Sequence, residues 1–340
     1  MASRPVRPNN GCSAGTRTDL STASLAGVGI VVIGRNEAAH LRSALRTALA
    51  TGVPVVYADS GSTDASLEIA RGMGVTVVEL DQAQPHTAAR GRNAGLNALR
   101  RAIPDLEFVQ FVDGDCELAE GWLTRGVEFL RGTPTAWAVW GELAEADPRR
   151  SVFHRLCDLE WRYDIEPGEV ESCGGVVLLR AAPLVRLGGF DATLAAGEEP
   201  ELCARLRAAG GRVFYLAAAM ARHDAGDLGW RDWWRRQVRT GTAYADGAQR
   251  ARATGGRRWA RQEQRILLWG AVLPLAIAAT AVPTGGLSLL GLTAYLVPTL
   301  RSASALRRRG APAWPSLCYG AFASLAKFPQ LVGWLRHHVH

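Results

Sequence analysis

The first 220 residues alternate between short, uninterrupted apolar runs and stretches with helical spacing, and this alternation constrains the fold more than any other feature. An uninterrupted apolar run is typical of a strand that is buried on both faces of a sheet. Strands that alternate with helices of about a dozen residues predict an α/β domain with a parallel sheet. The strands predicted in this way are Val28–Ile33, Val53–Ala58, Val75–Leu80 and Phe108–Val112.

Polar residues follow three of these runs at the point where each predicted strand ends. Ligands bind beyond the carboxyl ends of the strands in parallel α/β sheets. We therefore expect one ligand site along that edge, formed by Arg35-Asn36-Glu37, Asp59–Asp64 and Asp113-Gly114-Asp115.

The last of these segments places two carboxylates two residues apart, with a glycine between them. Both Asp113 and Asp115 can turn toward one point, and Mg²⁺ or Mn²⁺ prefers oxygen ligands of this kind. A cation bound there would stabilise a diphosphate as a leaving group. Asp-Gly is also an ordinary turn signal, so a simple turn is the alternative.

Two further segments have both a functional and a structural interpretation. Asp59 is suited to accept hydrogen bonds from a nucleoside base or ribose, whereas Thr63 or Asp64 is suited to cap the next helix. The alternative is a plain strand–turn–helix junction. Arg92 offers a guanidinium next to the amide of Asn93, and its alternative is a solvated helix face.

Eight motifs occur in order along residues 28 to about 225: Val31–Glu37, Asp59–Asp64, Ala89–Asn93, Asp113–Asp115, Gly174–Arg180, Gly188–Asp191, Gly197–Arg207 and Val213–His223. Each motif alone is weak evidence. Together they closely resemble the family 2 glycosyltransferases with the GT-A fold, and their combination is highly specific.

This resemblance implies a GT-A domain, which is an α/β domain with a Rossmann-like mixed sheet, and an inverting transfer from a nucleotide-diphosphate sugar. It implies Mg²⁺ or Mn²⁺ held by Asp115, Asp113 and His223, although a histidine that merely ends a strand is the alternative for His223. The donor-binding residues that it implies are Ile33, Arg35, Asn36, Glu37, Asp59, Arg92 and Asp113.

A proline-marked helix start provides the candidate base. Pro200 suits the first helical position and holds Glu199 extended, at or just before the N-cap. Free N–H groups and the helix dipole are expected there to keep the carboxylate ionised at neutral pH. The resemblance implies that this residue accepts the proton of the acceptor hydroxyl. Glu198 is the alternative base, and an acidic helix start, which suits Glu201 better, is the structural alternative.

Most of the apolar excess lies after residue 265, where the uncharged runs 266–282 and 285–300 are separated by Pro283-Thr284. Arginines flank the pair of runs, which predicts a membrane hairpin with both ends on the cytoplasmic side. The stretch 313–335 is predicted to lie in the interface or to span. A buried helical subdomain is the alternative for all three stretches.

These patterns predict four parts: a disordered leader (1–26), a GT-A domain (27–225), an amphipathic Trp- and Arg-rich helical linker (226–262) and hydrophobic membrane-associated helices (263–340). The leader lacks the apolar run of a signal peptide. Because both ends of the predicted hairpin lie on the cytoplasmic side, the expected location is the inner membrane, with the catalytic domain facing the cytoplasm. A lipid-linked or glycan acceptor, in envelope or exopolysaccharide synthesis, fits that location.

Composition bears on the remaining classes of protein. The net charge is +7, yet no basic stripe with interleaved aromatic residues occurs in the first 220 residues, so nucleic acid is not an expected partner. A sugar-phosphate nucleotidyltransferase would need a lysine in an N-terminal phosphate loop, and Lys327 is the only lysine. An inactive membrane scaffold would need none of the acidic motif residues. The six cysteines have no metal-site spacing and are expected to be reduced.

Overall fold

One mixed sheet forms the centre of the computed structural model, in which residues 25–163, 165–194, 196–254 and 257–339 are described. Its strands are β1 (Val28–Gly34), β2 (Val55–Asp59), β3 (Thr76–Glu79), β4 (Phe108–Asp113), β5 (Cys116–Leu118), β6 (Ala136–Glu145), β7 (Gly168–Val170), β8 (Val177–Arg180) and β9 (Arg212–His223). Their order is β3-β2-β1-β4-β8-β6-β9-β5, and β7 pairs with β9.

The first four strands are parallel neighbours, as the apolar runs predict. β8 pairs antiparallel with β4 and with β6, so the mixed sheet expected from the resemblance is confirmed. β2 begins at Val55 rather than Val53, because Pro54 has no N–H to donate and its carbonyl accepts from Ile30 N at 2.9 Å.

Seven helices alternate with these strands: α1 (Leu41–Leu49), α2 (Ser66–Gly72), α3 (Ala88–Ala102), α4 (Trp122–Gly132), α5 (Val152–Tyr163), α6 (Ala181–Arg186) and α7 (Glu198–Ala208). α3 lies directly on β1, because a Cβ at Gly95 would come within 2.3 Å of the Val31 side chain. Arg92 is one turn before Gly95 and therefore on the same face of α3. This close approach holds Arg92 against the sheet.

The rest of the described chain is helical. It contains α8 (Trp230–Thr254), α9 (Arg257–Leu267), a π-helical turn (Leu268–Val272), α10 (Leu273–Ala281), a 3₁₀ segment (Leu287–Tyr295), α11 (Leu296–Arg308), α12 (Ala313–Leu325) and α13 (Lys327–Val339). Two continuous stretches, Trp259–Ala281 and Leu287–Arg308, are long and apolar enough to cross a membrane. They have 23 and 22 residues, so both are longer than the uncharged runs of the sequence.

Glycines allow α8 and α13 to pack at backbone distance. A Cβ at Gly241 would lie 2.0 Å from the Gln330 carbonyl oxygen, and a Cβ at Gly333 would lie 2.0 Å from the Val238 carbonyl oxygen. Small residues at helix crossings are typical of membrane-associated bundles. The segment predicted as an amphipathic linker thus includes a long helix that packs against the last helix of the chain.

The predicted leader, 1–26, falls outside the described residues except for Leu25 and Ala26. For Leu25 the prediction of disorder is wrong, because its side chain is buried in the core of the sheet domain. Nothing in its polar surroundings in the sequence marks it as a core residue.

Candidate active site

The loops after β1 and β2 are joined by hydrogen bonds at the carboxyl edge of the sheet. Asn36 Oδ1 accepts from Thr63 N at 2.7 Å, and Asn36 N donates to Ser62 Oγ at 2.9 Å. Asn36 has a φ of 60°, a left-handed conformation that asparagine tolerates better than most residues. Of the other predicted donor residues here, Arg35 is exposed and Ile33 is buried under α3.

Asp59 is engaged by its own loop. It is 1% exposed, and its Oδ1 accepts from the hydroxyls of Tyr57 and Ser62. Its Oδ2 accepts from the backbone N–H groups of Gly61 and Ser62, at 2.9 and 2.8 Å. A carboxylate offers about four acceptor sites, and these four donors occupy them. Asp59 therefore stabilises the strand–turn–helix junction, which was the structural alternative for this segment. A contact of Asp59 with a nucleoside stays a prediction.

Arg92 connects three carboxylates. Its Nη1 lies 2.7 Å from Glu198 Oε1 and 3.1 Å from Glu199 Oε1, and its Nη2 lies 3.1 Å from Asp113 Oδ1. Arg92 is 2% exposed, so the alternative of a solvated helix face is wrong: the Gly95 contact presses this face of α3 onto the sheet. Burial lowers the pKa of Arg92, but the charges of the three carboxylates outweigh burial and raise it.

Gly175, which belongs to one of the sequence motifs but had no predicted role, lies against Arg92 and its carboxylate partners. A Cβ at Gly175 would lie 2.5 Å from Arg92 Nη2 and 2.7 Å from Asp113 Oδ2. It would also lie 3.3 Å from Glu199 Oε1. The loop before β8 therefore closes on the guanidinium and two carboxylates only because residue 175 has no side chain.

Both candidate bases lie in the first turn of α7, which corrects the expected helix start. The helix begins at Glu198, and Gly197 precedes it with a φ of 87°. Proline is tolerated throughout a first turn, because the N–H that it lacks would have no helical partner there. Pro200 therefore lies inside the first turn, and Glu199 is helical rather than at or just before the N-cap.

The pKa of Glu199 also differs from the expectation that this carboxylate stays fully ionised at neutral pH. Burial raises the pKa of Glu199 to about 7, although the charge of Arg92 opposes the shift. Desolvation thus outweighs the helix dipole that was expected to keep this carboxylate ionised. The Glu199 side chain remains 17% exposed, against 8% for Glu198. A base with a pKa near neutrality is well placed to accept a proton at physiological pH.

Asp115 pairs with His223 across the ends of β4 and β9. His223 Nε2 lies 3.2 Å from Asp115 Oδ2, and its Nδ1 lies 3.3 Å from Glu145 Oε2. Burial lowers the pKa of His223, but the hydrogen bonds to both carboxylates outweigh it and raise the pKa to about 9. Burial raises the pKa of Asp115, yet His223 reverses the shift and lowers it. The His223 ring also packs edge-to-face with Trp161.

The donor atoms at this edge fit a hard divalent cation. The ligand atoms of Asp115, Cys116 and His223 lie within 4.8 Å of one another. Cys116 is a poor ligand for such a cation, because it is fully buried and burial raises the pKa of its thiol well above the usual value. The remaining candidate ligands are Asp115, His223 and the neighbouring Asp113. Their carboxylate oxygens suit Mg²⁺ or Mn²⁺, and Mn²⁺ also accepts the histidine nitrogen.

Glu37 adds a carboxylate beside this group. Burial raises the pKa of Glu37, and together with the charges of Asp115 and Asp113 it brings this pKa to about 7. A Cβ at Gly114 would lie 3.0 Å from Glu37 Cγ, so the glycine between the two aspartates allows this approach. The pKa of Asp113 is also raised, by burial and by the charge of Asp115, although Arg92 opposes the shift. Several carboxylates thus converge here around the Arg92 guanidinium and the His223 imidazole.

The sequence did not predict the roles of two residues of the site, Glu145 and Gly175. Glu145 is 4% exposed and pairs with His223 from the end of β6. Its apolar run is interrupted by polar residues, so nothing marked it as a strand end at the site. In the sequence, Gly175 stands out only as part of the Gly174–Arg180 motif. Its role depends on how closely the chain approaches Arg92, which spacing does not reveal.

The mixed sheet, with its polar carboxyl edge, is the architecture expected for a GT-A domain. Residues 29–156 match the family model described as glycosyl transferase family 2. Over these residues the chain therefore matches the family 2 glycosyltransferases.

Relatives agree with this assignment. The chain is 31% identical over 210 residues to the pre-mycofactocin glycosyltransferase of Mycobacterium tuberculosis, a match that covers 58% of this chain and 42% of that protein. It is 32% identical over 122 residues to the glycosyltransferase AglE of Haloferax volcanii, covering 33% and 38%. The chain thus spans about two fifths of the length of the curated relatives that it matches.

A solved structure supports the fold. The mannosyltransferase PcManGT from Pyrobaculum calidifontis, determined in complex with GDP-mannose and Mn²⁺, superposes with a TM-score of 0.56. The superposition covers 88% of this chain and 86% of that chain, at 18% sequence identity. At this identity the likeness shows the GT-A fold alone.

Proposed function

We propose that this protein is an inverting, metal-dependent glycosyltransferase that moves a sugar from a nucleotide-diphosphate donor to an acceptor hydroxyl. One observation carries the proposal. Arg92 binds the candidate bases, Glu198 and Glu199, through one nitrogen and the candidate metal ligand Asp113 through the other. The group that would activate the acceptor and the group that would hold the donor diphosphate are therefore fixed relative to each other.

The reaction assigned to this geometry is a single displacement. Glu199 accepts the proton of the acceptor hydroxyl while the hydroxyl oxygen forms a bond to the anomeric carbon. The bond from that carbon to the diphosphate oxygen breaks on the opposite face, and its electron pair leaves with the nucleoside diphosphate. Attack on the opposite face inverts the anomeric configuration. A divalent cation bound to Asp113, Asp115 and His223 would neutralise charge on the leaving diphosphate.

The metal assignment predicts a sharp loss of activity in the Asp115→Ala protein. Transfer should fall by at least about 10²-fold and donor binding should weaken, because the diphosphate loses its cation. Turnover with a panel of nucleotide sugars, with and without EDTA, measures both effects. Asp105→Ala is the matched control, since Asp105 is exposed before β4, at the opposite edge of the sheet. Full turnover in EDTA contradicts the metal role.

The same panel identifies the donor. The names of the relatives support glycosyl transfer as the class of reaction, and the GDP-mannose of the Pyrobaculum enzyme supports a nucleotide-diphosphate sugar. Hydrolysis of one nucleotide sugar above the others would define the natural donor. No hydrolysis or transfer with any of them, in the presence of Mn²⁺, contradicts the proposed function.

We further propose that the C-terminal helices attach the protein to a membrane and that the acceptor is a lipid-linked or envelope glycan. Large apolar side chains are exposed around the turn between the two candidate spans: Val282 is 90% exposed and Leu287 is 70% exposed. Both outer ends of the hairpin return to the catalytic domain. The Trp259 ring packs beside Gly197, and Arg309 donates to the Tyr163 carbonyl oxygen at 2.9 Å.

The two other classes considered from the sequence are less well supported. A sugar-phosphate nucleotidyltransferase needs a lysine at the phosphates, and Lys327 lies in α13, where it donates to Gln330. A scaffold without activity has no use for a buried arginine that binds three carboxylates. Such a cluster is costly to desolvate and is typical of functional sites.

A further inference from the structure

A cleft of about 620 Å³ lies between α8 and α13, outside the site described above. Its size is within the range of small-molecule sites in proteins. Two apolar side chains, three arginines and one acid form its lining: Trp234, Val238, Arg235, Arg239, Arg336 and Asp232.

The positive charge of this cleft is only partly compensated. Asp232 lies 3.8 Å from Arg235 and also accepts from Gly229 N at 3.1 Å, so its carboxylate is committed to the start of α8. Arg239 and Arg336 are exposed, and neither has an ion pair or a hydrogen bond to any residue that the structure describes. Two unpaired guanidinium groups at one cleft attract an anion, and guanidinium is the side chain best matched to phosphate oxygens.

The walls of the cleft are fixed by contacts on its other sides. Gln330 of α13 donates to Gln237 of α8 at 2.8 Å, and Thr242 donates to the Gly333 carbonyl oxygen at 3.1 Å. Arg236 points away from the cleft and binds Glu160 of α5 at 3.2 Å. The two unpaired arginines are therefore carried by helices that are anchored to each other and to the catalytic domain.

The cleft is connected to the candidate active site along one stripe of α8. Arg235, Arg239 and Ala243 are spaced by four residues, which places them on one face of the helix. Ala243 lies beside Gly197, with 3.7 Å between its Cβ and a Cβ built at Gly197. At 1.5 Å per residue, Arg239 is about 6 Å along the helix from this contact. Gly197 immediately precedes the turn of α7 that contains Glu199.

We propose that this cleft binds the phosphate group of a membrane lipid. Arg239 and Arg336 bind the phosphate oxygens, while Trp234 and Val238 contact the first part of the hydrocarbon chain. The inference rests on the proposed membrane attachment of the C-terminal helices. It gives the acceptor side of the enzyme a chemical class, because Arg239 lies about 6 Å along α8 from the contact of Ala243 with Gly197, which precedes the turn with Glu199. A prenyl phosphate and a bilayer phospholipid share this chemistry.

The test measures equilibrium binding of labelled farnesyl phosphate to the full chain in a neutral detergent, with farnesol as the ligand that lacks phosphate. Binding of farnesyl phosphate should be at least tenfold tighter than binding of farnesol. The double variant R239Q/R336Q should bind farnesyl phosphate about 25-fold more weakly, since each arginine near a lipid phosphate contributes about fivefold. The matched control is R100Q/R101Q, which removes two exposed arginines of α3 and should bind like the unsubstituted protein.

Competition distinguishes the two sources of the phosphate. Displacement of farnesyl phosphate by an equal concentration of phosphatidylglycerol supports a bilayer phospholipid as the occupant. Resistance to phosphatidylglycerol supports a prenyl phosphate. Equal affinity for farnesol, unchanged binding by R239Q/R336Q, or displacement by inorganic phosphate alone at lower concentration than either lipid overturns the proposal.

Binding of a nucleoside diphosphate with Mn²⁺ is measured on the same preparations. Loss of lipid binding in R239Q/R336Q with nucleotide binding retained supports a lipid site that is separate from the donor site. Failure of the unsubstituted protein to bind any nucleotide contradicts the proposed transferase function and leaves the lipid result to be judged by itself.

Discussion

Arg92 is a buried cation that neutralises charge from Glu198, Glu199 and Asp113 at the same time. Three carboxylates at this density would repel one another, and a buried charge without a partner is strongly destabilising. The guanidinium has the planar donor geometry to bind them simultaneously, which a lysine has not. At the scale of single residues, the candidate site is therefore a cluster whose members depend on one another.

The prediction for the base concerns Glu199. Glu199→Gln should leave donor affinity nearly unchanged while kcat falls by about 10²–10⁴-fold, because the amide keeps the contact with Arg92 and accepts no proton. Steady-state kinetics and nucleotide binding measure the two quantities. Glu198→Gln is the matched control and should retain most of kcat. The reverse pattern, with Glu198→Gln inactive and Glu199→Gln active, assigns the base to Glu198.

The pKa of the same residue predicts the pH dependence of the reaction. Burial raises the pKa of Glu199 to about 7, so the carboxyl group is protonated, and inactive as a base, below that pH. The rate constant kcat should therefore fall about tenfold for each pH unit below 7 and level off above it. A profile measured at saturating donor tests this directly. A rate that stays flat down to pH 5 contradicts the role of a base with this pKa.

Gly175 predicts a loss of function caused by one methyl group. In Gly175→Ala the new Cβ would lie 2.5 Å from Arg92 Nη2 and 2.7 Å from Asp113 Oδ2, so the cluster must move apart. We expect kcat to fall by at least about tenfold, since overpacking of about 1–3 kcal/mol acts on the reactive groups. Gly174→Ala is the matched control, because a Cβ there has no atom within 4 Å. Equal activity of the two variants contradicts this account of the cluster.

At the scale of elements, α7 and α8 determine how the C-terminal helices meet the catalytic domain. α7 begins where Gly197 turns the chain, and this glycine packs beside Ala243 of α8 and Trp259 of α9. The base is therefore carried by the element that touches the apolar helices. A change in the position of α8 is expected to alter the acceptor side of the site first.

The packing of α8 on α13 gives a prediction about stability. Gly333→Ala should lower the free energy of unfolding by about 1–3 kcal/mol, because its Cβ would lie 2.0 Å from the Val238 carbonyl oxygen. Thermal unfolding of the full chain in detergent measures this. In the control Gly132→Ala the Cβ meets nothing within 4 Å, so stability should stay the same or rise slightly. Equal melting temperatures of both variants contradict the tight crossing.

At the scale of the whole molecule, the apolar hairpin favours a nonpolar environment, whereas the catalytic domain requires contact with water. The turn between α10 and the 3₁₀ segment exposes large apolar side chains, whereas the candidate site needs a water-soluble nucleotide sugar. Exposed apolar surface of this extent is typical of a membrane or protein contact. The return of both hairpin ends to the catalytic domain favours a hairpin that enters and leaves on the same side.

This arrangement predicts the accessibility of the turn in intact cells. A cysteine at Thr284, in a protein whose native cysteines have been replaced, should react with a membrane-impermeant thiol reagent added outside the cell. The reason is that a hairpin with both ends in the cytoplasm exposes its turn on the other side. Arg101→Cys, on the catalytic domain, is the control and should react only after lysis. Labelling of the turn only after lysis contradicts a crossing and favours an interfacial tail.

Much of the fold could be predicted because burial on both faces of a strand leaves a direct trace in the sequence. The four apolar runs became β1 to β4, and the polar residues after them meet at one edge of the sheet, as expected. The antiparallel strand β8 was expected only through the resemblance, since strand direction depends on long-range pairing. The start of α7 could not be derived from Pro200, because proline is compatible with several positions of a first turn.

The sequence by itself determined the chemistry available to this protein: carboxylates at the strand ends, an arginine in α3, an acidic helix start and an apolar tail. Only the tertiary structure decided how these groups act on one another. Arg92 binds three carboxylates because Gly95 lets α3 lie on β1 and Gly175 leaves room for the cluster. The pKa of Glu199 is raised to about 7 because desolvation depends on the packing around a group. Burial of this kind arises between segments far apart in the chain, so local sequence does not encode it in a readable form.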